Sequence, residues 1–237
     1  MTSTCPICRS TAFKDYNGRS DAICLGCGAL ERTRYLWLFI ERCSGLSAGR
    51  QLLHVSPDKC LIPMLHGLLG TGYTAADIDP RRYKNDLVEV KQLDLCEGLA
   101  AIPDASYDMV MHLHVLEHVP CPLEKVFSDT MRILKPGGQF VFALPIGPGI
   151  TIENLWPDVP SEERTKVFGQ HDHLRLVGSV DFPLFLRRVV GAWDERDDYR
   201  VDPDVFSSEA ELAACAIPYE RTTHLSGDCL FRIQKSR

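Results

Sequence analysis

The segment from Tyr107 to Leu144 constrains the fold of this chain more than any other. It holds an apolar run over 108–111, apolar residues at helical spacing over 123–134 and a second apolar run over 139–144. Lys135-Pro136-Gly137-Gly138 predicts the end of the helix, because proline cannot continue a helix and glycine accepts a left-handed turn. The order strand, helix, strand predicts a βαβ unit. Its right-handed crossover places the loop after the first strand, HLHVLEHVP, at the ligand-binding edge of a parallel sheet.

Two C-x2-C pairs near the N-terminus predict a structural zinc site. Cys5 and Cys8 are followed, after fifteen residues, by Cys24 and Cys27, which is zinc-ribbon spacing. Four thiolates fill a tetrahedral shell, so we expect the ion to hold the fold without taking part in chemistry. We assign 1–29 to this ribbon. Two disulfides are the alternative, and the lack of a visible signal peptide argues against them.

The composition favours a soluble, cytoplasmic protein. A length of 237 residues suits one large α/β domain with a small appendage. No apolar run is long enough to span a bilayer, so no membrane partner is expected. A net charge of -6 argues against a general nucleic-acid surface. The remaining cysteines lie mostly in apolar or helical stretches, and we expect them to be reduced thiols in or near the core. They are Cys43, Cys60, Cys96, Cys121, Cys215 and Cys229.

The run YDMV-x4-VLEHV followed by LKPGG resembles the second half of class I S-adenosylmethionine-dependent methyltransferases of type 11. Together with CGALERTR, LLHVSP and FGQHDHLRLVG, it makes the chain similar to a bacterial subgroup that carries an N-terminal four-cysteine zinc ribbon. The resemblance covers most of 5–178. It implies S-adenosylmethionine as cofactor and a Rossmann-like, seven-stranded sheet over 30–237, mostly parallel with an antiparallel last strand. Strands near 198–201 and 229–233 would complete that sheet.

The resemblance implies cofactor contacts at the ends of the second and third strands of this sheet. A carboxylate at the end of the second strand can accept both ribose hydroxyl hydrogens. Asp77 is the candidate, with Ile78 beside it and Asp79 as the reserve. Asp94 and Leu95, after the third strand, are expected to face the adenine. The alternatives are a strand-end turn role for Asp77 and a capping role for Asp94.

The loop after the first strand of the whole sheet, which contains Ser56 and Pro57, departs from the general methyltransferase pattern. That pattern has an acid near His54 and glycines near Ser56 and Asp58, which let the backbone approach the ligand. The zinc-ribbon subgroup has an HVxP loop here instead. We therefore expect His54, Ser56 and Pro57 to contribute to the cofactor site.

The histidines after the fourth strand are interpreted through the same resemblance. His112 and His114 are expected to border the methionine moiety of the cofactor. Glu117 and His118 are expected to orient the loop or to pack into the start of a helix. A catalytic metal held by these four residues is the alternative.

The polar segment 168–175 is the candidate acceptor site. Residues 146–178 are interpreted as an insertion that covers the substrate. A methyl transfer to oxygen or nitrogen needs an unprotonated attacking atom, and histidine can take that proton near neutral pH. His171 or His173 is the candidate base, and Asp172 orients it. Gln170 and Arg175 are candidate substrate contacts. A polar network that pins the insertion, or a metal at the two histidines, is the alternative.

Two arginines near the start of the first long helix are further candidates for substrate contact. Arg32 and Arg34 lie at the helix end where a cation is unfavourable, so they could bind an anionic ligand group. Solvation, or salt bridges to Glu31 or Asp21, is the alternative.

The activity expected from this reasoning is methyl transfer to a small molecule. RNA is the second acceptor class, because residues 1–50 carry seven Lys and Arg against four Asp and Glu, and the ribbon could recognise it. A methyltransferase-like binding protein without turnover is the third possibility, given the missing glycine loop.

Overall fold

The computed structural model describes residues 3–84, 86–191, 199–223 and 225–237. Within these residues eleven strands are formed. They are β1 (Phe13–Tyr16), β2 (Arg19–Cys24), β3 (Leu52–Val55), β4 (Tyr73–Asp77), β5 (Val90–Gln92), β6 (Tyr107–Leu113), β7 (Leu134–Ala143), β8 (Ile146–Gly147), β9 (Ile152–Glu153), β10 (Arg175–Gly178) and β11 (Phe231–Gln234). The helices are α1 (Glu31–Arg42), α2 (Ile62–Leu69), α3 (Leu123–Ile133), α4 (Ser161–Phe168), α5 (Phe182–Val190), α6 (Glu209–Ala214) and α7 (Tyr219–Thr223).

A six-stranded sheet in the order β11-β7-β6-β3-β4-β5 lies at the centre of the fold. All neighbours are parallel except β11, which is antiparallel to β7. The strands are apolar on both faces because helices cover both. The residues of one face pack with α1 and α2, and those of the other face pack with α3 and α5. The predicted α/β fold with an antiparallel last strand is confirmed.

The predicted βαβ unit is formed by β6, α3 and β7. The helix ends at Ile133, and the Lys-Pro-Gly-Gly segment belongs to the start of β7, where the pairing with β6 shifts register. Gly137 has φ 76°, and a Cβ on Gly138 would lie 2.8 Å from the Lys135 carbonyl oxygen. The two glycines therefore allow the tight backbone turn that the register shift requires at the beginning of the strand.

The C-terminal part of the sheet has one strand fewer than expected among the described residues. β11 pairs with β7, as predicted for the segment near 229–233. The other expected strand is represented by an isolated antiparallel bridge between Arg200 and Phe231. Asp198, where that strand was predicted to begin, lies outside the described residues.

The N-terminal segment is continuous with the main core. β1 and β2 form an antiparallel hairpin, and Cys5, Ile7 and Cys24 pack in the same apolar cluster as residues of α1 and α2. Thr4 N–H donates to the Ala214 carbonyl at the end of α6 (2.7 Å). The ribbon is therefore fixed to the larger domain on one side.

The segment 146–178 forms a small layer of its own. β8, β10 and β9 make a three-stranded sheet, and α4 lies between β9 and β10. Leu174 N–H donates to the Glu117 carbonyl (2.8 Å). This contact places the segment against the loop that follows β6.

Two of the scattered cysteines are joined. Cys96, which follows β5, and Cys121, which precedes α3, form a disulfide with a Cα–Cα distance of 5.9 Å. The expectation of reduced thiols is therefore wrong for this pair, while the other four scattered cysteines are free. The two residues are 25 positions apart, and their loops meet only because the sheet brings their strands' ends together. In the part of the chain that is described, no helix combines the length and apolar character needed to cross a bilayer.

Candidate active site

The loops at the carboxyl ends of β3, β4, β5 and β6 enclose a cavity of about 370 Å³. This is the edge at which parallel α/β sheets bind ligands, and the volume suits a small organic molecule. Six of the nine predicted cofactor residues line it, namely Ser56, Asp77, Ile78, Asp94, Leu95 and His114. The other lining residues are Val55, Arg82, Leu93, Val115, His118, Val119, Pro120 and Asp172.

Asp77 provides the carboxylate at the end of β4. Its Oδ1 accepts from the Asp79 backbone N–H and its Oδ2 from the Tyr83 hydroxyl, each at 2.8 Å. A carboxylate has about four lone-pair sites, so both oxygens retain capacity to accept from two hydroxyl groups. Asp79, the reserve candidate, is bonded instead to the Arg81 guanidinium (2.7 Å). The geometry favours Asp77 for the ribose.

Asp94 and Leu95 form the neighbouring wall of the cavity. Asp94 Oδ1 accepts from the Cys96 backbone N–H (2.7 Å), which fixes the turn after β5. The disulfide from Cys96 to Cys121 then ties this wall to the loop that carries Val119 and Pro120. The two sides of the cavity are therefore covalently linked.

The loop after β3 reaches its tight turn without glycine. Ser56 has φ 48°, in the left-handed region that glycine usually supplies, and its N–H donates to the Ala76 carbonyl (2.8 Å). Pro57 is buried and is not among the lining residues. The departure from the glycine pattern thus leaves the local backbone course intact.

Two of the predicted cofactor histidines lie inside the core. His54 is fully buried and contacts the Tyr73 hydroxyl through Nδ1 (3.1 Å), while His112 packs against Phe140 and Phe142. Burial lowers the pKa of His54 to about 3 and that of His112 to about 4. Both are therefore neutral near pH 7, and neither lines the cavity, so the structure offers no direct cofactor contact for either.

His114 does lie at the cavity. It has φ 53°, its Nε2 is 2.6 Å from the Gly227 carbonyl oxygen, and its Nδ1 is 3.2 Å from Glu117 Oε1. The Gly227 contact assigns a proton to Nε2, because a carbonyl can only accept.

The segment 170–173 divides between surface and interior. Asp172 lines the cavity, and its Oδ2 lies 3.4 Å from His118 Nδ1. His173 is 3 % exposed, and burial lowers its pKa. Gln170 and His171 are exposed, and His171 Nδ1 is 3.9 Å from Asp172 Oδ1. Of the predicted catalytic residues, Asp172 is the one at the cavity.

Arg175 has a structural set of contacts. Its guanidinium donates to the carbonyls of Leu116 and Cys121 and to the Glu153 carboxylate. It is buried and borders a different cavity of about 330 Å³. The alternative of a network that pins the insertion therefore describes Arg175 better than substrate contact does.

Arg34 is likewise a structural residue. It is fully buried and donates to the five backbone carbonyls of Asp21, Ala22, Ala29, Cys215 and Ala216. No N–H group is left for a substrate. Arg32 is only partly buried, and it is not among the residues that line the cavity.

The four ribbon cysteines converge. The Sγ atoms of Cys5 and Cys27 are 3.7 Å apart and those of Cys8 and Cys24 are 3.5 Å apart, and all four lie within 4.8 Å of one another. Sulfur atoms at the corners of a tetrahedral zinc site are about 3.8 Å apart, given a Zn–S distance of about 2.3 Å. The donor set and its spacing fit zinc.

Two polar residues of the site were given no role by sequence reasoning. Tyr83 holds Asp77, and Arg82 lines the cavity. Both follow the second strand within six residues of Asp77, in the turn PRRY. Their closeness to Asp77 in the sequence could have predicted this, because residues of a short turn lie near the end of the strand that they follow.

Comparison with known families gives a match over part of the chain. Residues 61–142 match a family model described as a methyltransferase domain. The matched stretch runs from just before α2 to near the end of β7, so it contains Asp77, Asp94 and His114.

Two curated proteins illustrate the sequence similarity. A 110-residue segment is 27% identical to a probable S-adenosylmethionine-dependent methyltransferase of Mycolicibacterium smegmatis, covering 44% of this chain and 42% of that protein. A 100-residue segment is 34% identical to a ubiquinone biosynthesis O-methyltransferase of Xanthomonas oryzae pv. oryzae, covering 39% and 41%. The chain spans less than half the length of the curated relatives it matches.

Solved structures share the fold. An S-adenosylmethionine-dependent methyltransferase from Mesorhizobium loti superposes with a TM-score of 0.54 at 13% identity, covering 85% of this chain and 97% of that one. Another from Archaeoglobus fulgidus gives 0.52 at 16% identity, covering 85% and 91%. At these identities the likeness concerns the fold alone.

Proposed function

We propose that this chain, which has the Rossmann-like fold of class I methyltransferases, transfers a methyl group from S-adenosylmethionine to a small-molecule acceptor. The observation that carries the proposal is the convergence of Ser56, Asp77 and Asp94 on one cavity, at the ends of three adjacent parallel strands. The methyltransferase-domain match over residues 61–142 supports the same activity.

The cavity offers separate places for the parts of the cofactor. Asp77 would hold the ribose hydroxyls, and Asp94 with Leu95 would border the adenine. His114 lines the cavity after β6, and the methionine moiety would fit beside it. The cofactor supplies a methyl group already activated by its sulfonium. The protein then has to align the acceptor and exclude water.

Asp172 and His171 are the groups placed to receive a proton from the acceptor. Asp172 faces the cavity, and His171 lies 3.9 Å from it on the exposed side. A hydroxyl or amine acceptor must lose a proton for methyl transfer to be complete, and this pair can pass it to solvent. The name of the Xanthomonas oryzae relative, an O-methyltransferase of ubiquinone biosynthesis, supports a small-molecule acceptor.

Binding of the cofactor is the first test. Titration calorimetry with S-adenosylmethionine and S-adenosylhomocysteine is expected to give dissociation constants between about 1 μM and 1 mM, the usual range of enzyme substrate affinities. No heat of binding at about 1 mM ligand would refute the methyltransferase assignment. A screen of hydroxylated metabolites for methyl acceptance then identifies the acceptor. Cofactor binding without any acceptor would favour the binding-protein alternative.

The structure around the ribbon supports a small molecule rather than RNA as the methyl acceptor. One of its surrounding basic residues, Arg34, is buried in carbonyl contacts, and the ribbon shares the main core. An RNA-binding surface would give affinity that falls steeply with salt. Salt-sensitive RNA binding by the purified protein would restore the RNA alternative.

We further propose that the four ribbon cysteines hold one structural zinc ion. Metal analysis should find zinc, and Cys8→Ser should remove it while Cys43→Ser, a free cysteine outside the ribbon, should not. Since zinc binding contributes folding energy to small ribbons, Cys8→Ser should also expose the segment 9–23 to limited proteolysis. Zinc retained in Cys8→Ser would disprove the four-cysteine site.

A further inference from the structure

We propose that Glu117, His118 and His173 bind one divalent transition-metal ion beside the cofactor cavity, and that a hydroxyl oxygen of the methyl acceptor coordinates this ion. The ion site stands on the geometry of these three side chains. The role for the acceptor rests on the proposed methyl transfer.

The three side chains come together from two distant segments. One ligand atom from each lies within 4.8 Å of the others, and Glu117 Oε1 is 3.9 Å from His118 Nε2. The rings of His118 and His173 meet edge to face with centroids 4.8 Å apart. Ligand atoms of a tetrahedral zinc site are about 3.4 Å apart, given metal distances of about 2.1 Å. A contraction of roughly 1 Å, within reach of side-chain rotation, would close the site.

Two of the three side chains carry buried polar atoms without hydrogen bonds in the described structure. Glu117 is 1 % exposed and His173 is 3 % exposed. Neither Glu117 oxygen nor His173 Nδ1 has a hydrogen-bond partner. The His114 Nδ1 atom, 3.2 Å from Glu117 Oε1, is the nearest ionic partner. Buried polar groups are almost always satisfied, so the cluster has unused capacity to bind a cation.

The orientation of His118 suits metal binding. His118 Nδ1 is 3.2 Å from the Asp172 carbonyl and 3.4 Å from its carboxylate, which places the proton on Nδ1 and the lone pair on Nε2, facing Glu117. Metal-bound histidines usually have such an oxygen behind the second nitrogen.

The donor set selects the class of ion. Two imidazoles and one carboxylate suit first-row divalent metals such as zinc, iron or cobalt, whereas magnesium and calcium prefer oxygen ligands throughout. Three protein ligands leave at least one position open. Arg175, the nearby buried cation, is held by carbonyls and by Glu153, so its guanidinium does not bond to the cluster.

The open position points to a hydroxylated acceptor. His118 and Asp172 line the cofactor cavity, so an oxygen on the ion would lie next to it. A bound ion lowers the pKa of a hydroxyl. Its proton passes to Asp172 and His171, the oxygen forms a bond to the methyl carbon, and the carbon–sulfur bond breaks with its electron pair on sulfur. The products are a methyl ether and S-adenosylhomocysteine.

Cobalt titration of the full chain, stripped of metal, tests the site. We expect two Co²⁺ per chain, one with the intense absorption of thiolate ligands and one without it. Glu117→Gln and His118→Ala should each lose the second ion and keep the thiolate signal, and Cys24→Ser should do the reverse. Asp172→Ala should weaken the second site by about 10- to 100-fold. His118 is only partly buried, so His118→Ala remains informative if Glu117→Gln does not fold.

Controls separate this site from the rest of the proposal. His171→Ala should keep both ions, and loss of the second ion there would overturn the ligand assignment. A wild-type chain that binds Co²⁺ only with the thiolate absorption would overturn the site itself, whatever the cofactor titration shows. Two Co²⁺ with no binding of S-adenosylmethionine would overturn the methyltransferase assignment and leave the ion site standing. Methyl transfer at full rate by His118→Ala would overturn the role for the acceptor.

Discussion

Replacing Asp77 with alanine is expected to weaken S-adenosylmethionine binding by roughly 100-fold. The carboxylate is buried at the end of β4, with Tyr83 and the Asp79 N–H holding it towards the cavity. Two hydrogen bonds from ribose hydroxyls to a charged acceptor would contribute about 3 kcal/mol in total, and each 1.4 kcal/mol is a tenfold change in affinity. Titration calorimetry of wild type and Asp77→Ala measures the difference.

Asp79→Ala is the matched control for this substitution. It removes a carboxylate two residues away that is partly exposed and paired with Arg81, and it should leave cofactor affinity within about twofold. Thermal unfolding of both variants shows whether the fold survives. If Asp79→Ala loses the cofactor and Asp77→Ala keeps it, the ribose contact belongs to Asp79.

Replacing Arg34 with alanine should destabilise the protein by about 3–5 kcal/mol. The guanidinium joins the β1–β2 region at 21–22 and 29 to the end of α6 at 215–216, and its removal leaves buried carbonyls without donors. For a chain of this size such a loss lowers the melting temperature by roughly 10 °C. Calorimetric or denaturant unfolding measures it.

Two further variants make the Arg34 experiment decisive. Arg34→Lys should restore little stability, since an ammonium cannot spread five donors over one plane. Arg32→Ala, at a partly exposed position on the same helix, should change stability by less than about 1 kcal/mol. A stable Arg34→Ala protein that fails to bind a methyl acceptor would support the substrate role predicted from the sequence.

The sequence alone determined the parallel sheet and the edge that bears the site. The periodicity of Tyr107–Leu144 predicted β6, α3 and β7, because apolar spacing is a local property that helix and strand geometry express directly. The resemblance to methyltransferases assigned Asp77 and Asp94 to the cofactor, and the two residues meet at one cavity because the carboxyl ends of parallel strands share one edge. The clustering of the ribbon cysteines could also be predicted from the sequence, since each C-x2-C turn brings its two thiols together within four residues.

Only the tertiary structure decided what the buried polar residues do. From the sequence, Arg34 and Arg175 were predicted to contact substrate. In the structure both donate hydrogen bonds to distant backbone carbonyls, in the case of Arg34 to a carbonyl 182 positions away. His54 and His112 were expected at the cofactor, yet their side chains lie in the apolar core. The Cys96–Cys121 disulfide and the approach of His173 to Glu117 also join distant segments. Local patterns fix which face a residue occupies, but its partners depend on which segments the folded chain packs together.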